Sequence, residues 1–329
     1  MAWYNFNKKS DLSIRNKTMN ILSRLFGPND VGIDLGTATT RVWVRGEGLL
    51  LEEPSAEHSF KDGVIPDFDT TKKALRYCLA KAGWGRLRRL RVLISVHSDI
   101  TEEQKQTLER AVMAAGAKEV YLLESSMAAA IGAGLPVSEP KGCMVIDLGA
   151  CMTNFAVISL AGIVHSKLIR VGGNEMDNAI IEYLLKNHNI VVKKQEAEDI
   201  KIKIGTACKP EKERDYKIKG RSADDGSQIA ITINSREIRE EAFSVVLGQI
   251  DGALKEILGI IEPELAADLV DNGIVLTGGV AQLFGLDKRL ADATGLPVRV
   301  ADEPTHATIE GVGVVLDELD FLSKHSKKR

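Results

Sequence analysis

The sequence predicts an α/β protein of about two domains, and three observations support this fold class. The chain has 329 residues, of which 44% are hydrophobic, and a formal net charge of −3. This length and composition allow a sizeable core in each of two domains. Apolar strand patterns alternate with amphipathic helix patterns along the chain. Two segments are also nearly the same, VGIDLGTATT at 31–40 and MVIDLGACMT at 144–153, which indicates two pseudo-equivalent halves.

The composition argues against several classes of protein. Because the charge is nearly balanced, a general nucleic-acid-binding role is disfavoured and no nucleic-acid partner is predicted. The four cysteines lie far apart without a CxxC pair, which excludes an obvious zinc site and favours a reducing compartment. No apolar run approaches about 18 residues and the N-terminus lacks a signal-peptide pattern, so a cytoplasmic location is predicted.

Residues 1–30 form a polar, basic extension with one apolar segment at 19–26. In a helix the apolar side chains of this segment share one face, and the Gly-Pro pair at 27–28 ends the turn. A basic amphipathic helix is typical of an interfacial membrane anchor. The alternatives are a disordered tail and a helix packed on the body of the protein. The predicted membrane-facing side chains are Ile21, Leu22, Leu25 and Phe26.

A second predicted membrane contact lies at 81–91, where Trp84 and Leu87 stand among four arginines. Tryptophan favours the membrane interface, and arginine favours anionic headgroups. The alternative is a solvated loop with one aromatic side chain docked on the core.

Glycine turns at the ends of three apolar strands predict a site for a polyphosphate. At DLG 34–36 and DLG 147–149 one strand ends and a second begins, as in a tight β-hairpin. Such a turn leaves backbone N–H groups unpaired and lets a phosphate approach without a Cβ in the way. The third strand ends at TGG 277–279 and is followed by a predicted helix, whose N-terminus would favour an anion.

The remaining elements follow from periodicity and caps. Thr101, followed by two glutamates, predicts the N-cap of a helix at 102–115. Alanines at 126–133 predict a closely packed helix, and a glycine pair precedes a helix at 175–188. Charged residues at 209–226 predict a small exposed subdomain. The other predicted elements are strands at 41–44, 92–96, 119–123, 154–159, 162–170, 228–233 and 297–300, helices at 238–261 and 308–321, and a basic tail.

On these motifs the chain resembles the MreB/Mbl family, the bacterial actin homologues, from about residue 31 to residue 322. The resemblance implies an actin-like (ribonuclease H-like) fold, in which two domains flank a cleft for ATP or ADP and Mg²⁺. The motifs that carry it are DLGTATT at 34–40, KDGVIPDF at 61–68, ESSMAAAIGAGLPV at 124–137, DLG at 147–149, VGG at 171–173, IKIKIG at 200–205 and TGG at 277–279. The implied organisation is an extension at 1–30, domain I at 31–134 and 305–322, domain II at 135–304 with a small subdomain near 206–236, and a tail at 323–329.

The resemblance also implies roles for individual residues. Asp34 and Asp147 would hold Mg²⁺ through water, as hard carboxylate oxygens commonly do. Lys201 would help line the ribose and adenine. The other implied nucleotide-binding residues are Gly36, Thr37, Ala38, Thr39, Gly149, Gly172, Gly173, Thr277, Gly278 and Gly279.

Three departures from the family pattern bear on function. Ser125 replaces the glutamate that would position the attacking water, and losing a general base typically costs about 10²–10⁴ in rate. The family's glycine-rich run after the second DLG is ACMT at 150–153, so side chains are expected where the backbone would approach the γ-phosphate. Between residues 56 and 60 the family inserts a few dozen residues of an outer subdomain, so that part of domain I is truncated here.

Three functions are compatible with these residues. The prediction adopted is an MreB-like cytoskeletal protein at the inner membrane face, which binds ATP and Mg²⁺ and hydrolyses ATP slowly or not at all. It would act in cell shape and cell-wall organisation, with MreB-type protomers, inner-membrane lipids and a wall-synthesis complex as partners. The second is an active ATPase filament, in which Glu124 or Thr153 positions water. The third is a nucleotide-free scaffold that docks MreB or wall-synthesis proteins.

Overall fold

The computed structural model describes residues 29–55, 67–82 and 90–326. The predicted membrane contacts Ile21, Leu22, Leu25, Phe26, Trp84 and Leu87 lie outside these residues. The strands are β1 Asn29–Leu35, β2 Thr39–Val44, β3 Gly48–Pro54, β4 Leu90–Val96, β5 Glu119–Glu124, β6 Cys143–Leu148, β7 Thr153–Ser159, β8 Gly162–Ile169, β9 Ile190–Val191, β10 Asp215–Ser222, β11 Gln228–Asn234, β12 Ile274–Thr277 and β13 Val298–Val300. The helices are α1 Phe68–Lys81, α2 Glu102–Ala115, α3 Ser125–Gly132, α4 Gly173–His188, α5 Lys194–Ile204, α6 Ser244–Leu258, α7 Pro263–Asn272, α8 Leu286–Thr294 and α9 Ala307–Ser326.

The chain forms two compact units. The first comprises the residues up to 143, residues 156–164 and the residues from 305 onwards, and the second comprises 144–155 and 165–304. The α/β prediction is confirmed, since both units contain sheet and helix. No helix in the described part of the chain is long and apolar enough to cross a membrane.

The first unit is built on a five-stranded sheet of order β3-β2-β1-β4-β5. β1 pairs antiparallel with β2 and parallel with β4, so the hairpin predicted at 31–44 is confirmed. Successive side chains of a strand point to opposite faces, and each face of this sheet has its own core. One core, which includes Ile33, Leu75 and Leu108, packs α1 and α2 against the sheet. The other, which includes Leu93, Ala128 and Val312, packs α3 and α9 against it.

Glycines bring α3 and α9 into close contact. A Cβ at Gly311 would lie 2.7 Å from the carbonyl carbon of Ala128, and a Cβ at Gly132 would lie 2.7 Å from that of Ala307. Real Cβ atoms essentially never approach backbone so closely. Small residues at a helix crossing let the two backbones approach, so the prediction of a closely packed helix at 126–133 is confirmed.

A buried ion cluster fixes the start of β1. The Asp30 side chain is fully buried and accepts from Arg91 Nε at 2.6 Å and from Arg45 Nη1 at 2.8 Å. Because removing one partner would leave an uncompensated buried charge, this cluster ties β1 to β4 and β2.

The expected truncation of the outer subdomain falls between β3 and α1. β3 ends at Pro54 and α1 begins at Phe68. Residues 56–66 between them lie outside the described residues. A chain segment of this length is too short for the few dozen residues that the family inserts here.

The second unit contains the larger part of a five-stranded sheet of order β13-β12-β6-β7-β8 and all of a smaller sheet of order β11-β10-β9. β12 lies parallel to both β6 and β13, and all four of its residues are buried. A parallel strand with both faces covered is expected to be apolar throughout. The charged segment at 209–226, for which no strand was predicted, contributes β10 to the smaller sheet.

Two helix predictions in this unit are wrong in their boundaries. The helix predicted at 238–261 is interrupted, because a π-helical turn occupies Ile238–Ala242 and α6 begins only at Ser244. In that turn Arg239 is buried and its Nη2 lies 2.7 Å from Glu213 Oε1. After the TGG motif there is only a short 3₁₀ turn at Val280–Gln282. Gly285 adopts a left-handed conformation, φ 74°, and α8 starts after it.

Candidate functional site

The glycine turn between β1 and β2 is held by hydrogen bonds from Ser55, which follows β3. A Cβ at Gly36 would lie 2.6 Å from the Thr39 carbonyl oxygen, so glycine is required. Ser55 N donates to Ala38 O at 2.9 Å and Ser55 Oγ donates to Gly36 O at 2.5 Å. The turn remains accessible, since Ala38 is exposed and Thr37 is half-buried. Ser55 was not predicted from the sequence, and it connects this turn to the end of β3.

Asp34 is held next to this turn. Its side chain is 14% exposed, and Ser95 Oγ donates to its Oδ1 at 2.7 Å. Burial raises the pKa of the Asp34 carboxyl, and the Ser95 hydrogen bond and the Arg41 charge oppose this rise. The carboxylate is therefore fixed in position and carries an unfavourable charge that a cation would relieve.

The two candidate water-positioning side chains of the first unit differ in exposure. Ser125 is the first residue of α3 and is buried, at 5% exposure. Glu124 ends β5, serves as the N-cap residue of α3 and is exposed. The carboxylate of Glu124 is thus in contact with solvent, whereas the hydroxyl of Ser125 is enclosed.

In the second unit, the turn after β6 contacts the N-terminus of α4. Gly149 N donates to Met152 O at 2.8 Å, which closes the turn. Gly173 N donates to Gly149 O at 3.1 Å and Asn174 N donates to Ala150 O at 2.7 Å. A Cβ at Gly172 would lie 2.6 Å from the Gly149 oxygen. The structure therefore brings together the predicted residues Gly149, Gly172 and Gly173.

The side chains that replace the family's glycines are directed into the protein. Cys151 and Met152 are each 5% exposed, and Asn174 Nδ2 donates to Cys151 Sγ at 2.8 Å. Thr153, predicted as a possible water-positioning residue, is fully buried and its hydroxyl donates to Val171 O at 2.7 Å. These side-chain contacts hold the turn in place. A glycine-rich run would have no side chains to make such contacts.

The TGG motif lies beside the same turn. Thr277 Oγ1 donates to Asp147 Oδ1 at 3.0 Å. Gly278 has φ +84°, and a Cβ there would lie 2.6 Å from the Leu148 carbonyl carbon. At Gly279 a Cβ would meet nothing within 4 Å, so its backbone has open space beside it. The strand pairing of β12 with β6 brings these predicted residues together.

Lys201 is held by a buried carboxylate that the sequence did not indicate. Its Nζ lies 2.8 Å from Asp177 Oδ1 and donates to Gly173 O at 3.1 Å. Asp177 is 2% exposed, and its burial raises the pKa of its carboxyl, although Lys201 opposes this. Lys201 thus connects α5 to the glycine pair at the start of α4.

Asp34 and Asp147 are each a carboxylate held beside a glycine turn of its own unit. Among the described residues there is no group of three or more His, Cys, Asp or Glu side chains that could hold a metal ion. A Cβ at Gly36, beside Asp34, would lie 2.6 Å from the Thr39 carbonyl oxygen, and a Cβ at Gly149, beside Asp147, would lie 3.1 Å from the Met152 carbonyl oxygen. Mg²⁺ is usually held by one or two carboxylates, by water and by substrate phosphates.

Comparison with known proteins identifies the relatives of the chain. The family model for MreB/Mbl proteins matches residues 56–324. The cell shape-determining protein MreB of Escherichia coli strain K12 is 38% identical, over 89% of this chain and 94% of that protein. The cell shape-determining protein Mbl of Bacillus subtilis strain 168 is 36% identical, over 90% of this chain and 98% of that protein.

Solved structures agree with these relatives. MreB5 of Spiroplasma citri bound to AMPPNP superposes with a TM-score of 0.85 at 29% identity, over 91% of this chain and 99% of that chain. The same protein bound to ADP gives a TM-score of 0.83 at 30% identity, over 92% of this chain and 99% of that chain. A MamK double helical filament gives a TM-score of 0.75 at 17% identity, over 88% and 99% of the two chains, and this match shows the fold alone.

Proposed function

The chain belongs to the MreB/Mbl family of cell shape-determining cytoskeletal proteins, and from this premise we propose that it binds ATP with Mg²⁺ and hydrolyses it slowly or not at all. It acts at the inner membrane face, in cell shape and cell-wall organisation. The proposed domains are those predicted from the sequence, 31–134 with 305–322 and 135–304.

The observation that carries the nucleotide proposal is the pair of glycine turns, each with a fixed carboxylate. The turn at 34–39 is supported by Ser55, and the turn at 147–152 is supported by the N-terminus of α4. Backbone amides in such turns, together with a helix N-terminus, favour phosphate. The homologous MreB5 has been solved with AMPPNP and with ADP, which supports the same class of ligand here.

Each group has a distinct role in the proposed binding. The two glycine turns hold the phosphates, and Asp34 and Asp147 orient water around the cation. Lys201 and the glycines at 172–173 and 278–279 contact the nucleoside. Mg²⁺, when bound, neutralises phosphate charge and fixes the geometry of the phosphate chain.

Weak hydrolysis is proposed on the residues near the start of α3. Ser125 is buried and serine is a poor base at neutral pH, so it cannot take a proton from water as a carboxylate can. Thr153 is fully buried and donates to Val171 O, so its hydroxyl is engaged elsewhere. Glu124, exposed at the end of β5, is the alternative water-positioning residue in an active ATPase.

We propose that the chain self-associates, as expected of a cytoskeletal protein related to the cell shape-determining proteins MreB and Mbl. We propose that the partners are further copies of this chain or MreB-type protomers, with inner-membrane lipids and a wall-synthesis complex. The truncated outer subdomain is expected to alter the filament contacts, because it would contribute to longitudinal contacts in actin-like filaments.

Nucleotide retention tests the proposal. The purified protein is incubated with ATP and Mg²⁺ and separated from free nucleotide, and the bound nucleotide is identified by chromatography. We expect bound ATP in the parent protein and about threefold to fivefold less in Asp34→Asn, a loss of about 0.7–1 kcal/mol of binding free energy. Asn keeps an acceptor for Ser95, so only the charge is lost.

The melting temperature of the nucleotide-free Asp34→Asn variant serves as its folding control. Burial raises the pKa of Asp34, so the protonated form stabilises the fold at low pH and this stability is lost as pH rises through the raised pKa. A neutral Asn avoids that loss, so the variant is expected to melt at the same temperature as the parent protein or higher at pH 7. If the parent protein retains no nucleotide, the scaffold function replaces this proposal.

Membrane association is proposed on the basic amphipathic segment at 19–26 and tested by its removal. We expect a variant that lacks residues 1–26 to lose most of its sedimentation with anionic liposomes, because the apolar face and basic charge are removed together. Vesicles of neutral phosphatidylcholine provide the control and should bind the intact chain weakly. Unchanged binding of the truncated chain to anionic vesicles would contradict the proposal.

A further inference from the structure

A row of polar side chains crosses the first sheet beside the turn at 34–39. Asp34 on β1 lies directly opposite Arg41 on β2, and Arg41 lies directly opposite Glu52 on β3. Residues directly opposite each other in antiparallel strands share one face of the sheet. Ser95 on β4 extends the row by its hydrogen bond to Asp34. The row therefore spans four strands, and its member Asp34 lies at the start of the candidate phosphate turn.

Arg41 is fixed within this row. Its Nε donates to Glu52 Oε1 at 3.0 Å, and its Nη2 lies 2.9 Å from the same oxygen. Glu52 is held in turn by His306, whose Nε2 lies 3.1 Å from Glu52 Oε2. The Arg41 side chain is only 13% exposed, and its Nη1 lies 3.8 Å from Asp34 Oδ2. A guanidinium is always charged, so this positive charge is permanent.

The distance between Arg41 and Asp34 makes their interaction coulombic. At 3.8 Å the two groups are too far apart for a hydrogen bond, yet a pair so poorly exposed is weakly screened by solvent. An anionic carboxylate beside a phosphate turn repels a nucleotide, and a divalent cation is the usual means of offsetting this repulsion. Arg41 supplies a positive charge at the same carboxylate from the protein itself.

We propose that Arg41 is a positioning residue whose fixed charge lets this chain bind ATP with little dependence on a divalent cation. The inference rests on the proposed nucleotide function and adds to it a property of the Asp34-Arg41-Glu52 row. Glu52 orients the guanidinium, and the Asp34 carboxylate interacts with the positive charge of the guanidinium.

The test compares ATP affinity with and without Mg²⁺ by isothermal titration calorimetry. For the parent protein we expect removal of Mg²⁺ by EDTA to weaken ATP binding by less than about tenfold. For Arg41→Gln we expect a further weakening of at least about tenfold in EDTA, with the affinity in Mg²⁺ within about threefold of the parent value. A role of Arg41 in structure alone would lower both affinities together.

Two further variants complete the experiment. Lys73→Gln removes an exposed positive charge on α1 and should match the parent protein in both conditions. Glu52→Gln keeps Arg41 but removes the carboxylate that orients it, and should show the loss in EDTA even if Arg41→Gln does not fold. An equal Mg²⁺ dependence in the parent protein and in both row variants would overturn the inference. Absence of ATP binding by the parent protein in Mg²⁺ would overturn the proposed function as well.

Discussion

Replacing Gly311 with alanine is expected to be among the most destabilising single substitutions in the first unit. The new Cβ would lie 2.7 Å from the Ala128 carbonyl carbon and 2.9 Å from Gly132 N, so α9 must move away from α3. Overpacking a core costs typically about 1–3 kcal/mol, and contact with backbone cannot be relieved by a rotamer change. We expect a loss of at least about 3 kcal/mol, or a fall in melting temperature of about 6–12 °C.

Thermal unfolding of purified variants measures this effect, and Gly248 provides the matched control. Gly248 lies in α6, and a Cβ there would meet nothing within 4 Å. Gly248→Ala should therefore stabilise the protein by about 0.5–1 kcal/mol through helix propensity. Gly132→Ala should resemble Gly311→Ala, because it places a Cβ against the Ala307 carbonyl on the same crossing. Equal melting temperatures for Gly311→Ala and Gly248→Ala would refute the close-crossing argument.

The crossing also shows how far the sequence predicts this fold. The alanine-rich segment at 126–133 indicates a closely packed helix, but it does not reveal which helix lies against it. That partner is α9, which is nearly two hundred residues away in the chain. Buried strands such as β4 and β12 were predicted because most of their residues are apolar.

Some elements were missed although the sequence contains their signals. α1 begins after Asp67, whose side chain accepts from the backbone of Asp69 and Thr70. α7 begins with Pro263 at its first position, a known start signal. The edge strand β3 has a burial pattern without regular alternation, so periodicity does not distinguish it from a loop.

Residues of the candidate site that belong to glycine motifs were predicted from the sequence. Residues that meet only through the pairing of distant strands were missed. The glycines at 36, 172 and 278 stand in places that exclude a Cβ, and such positions are recognisable as glycine motifs. Ser95 and Asp34 are 61 residues apart in the chain, and they meet because β4 lies beside β1. No local pattern indicates a contact that depends on the pairing of distant strands.

The other large effect is expected at Ser125, where Ser125→Glu should increase phosphate release from ATP. On the proposed function, the substitution places a carboxylate where the resemblance implies a water-positioning glutamate. A positioned general base contributes typically 10²–10⁴ in rate, so an increase of at least about tenfold is expected even if the new side chain is imperfectly placed. A negative charge at the first position of α3 is also favoured by the helix dipole.

Phosphate release at saturating ATP and Mg²⁺ measures this effect, with Ser125→Gln as the matched control. Gln has nearly the same size as Glu and no basic oxygen, so it should leave the parent rate unchanged. Both variants must melt close to the parent temperature, because Ser125 is only 5% exposed and a longer side chain must reach out of an enclosed position. If Ser125→Gln raises phosphate release as much as Ser125→Glu does, basicity at this position is not the cause. If the parent protein already turns over ATP steadily and Glu124→Gln abolishes that turnover, Glu124 positions the water and this chain is an active ATPase.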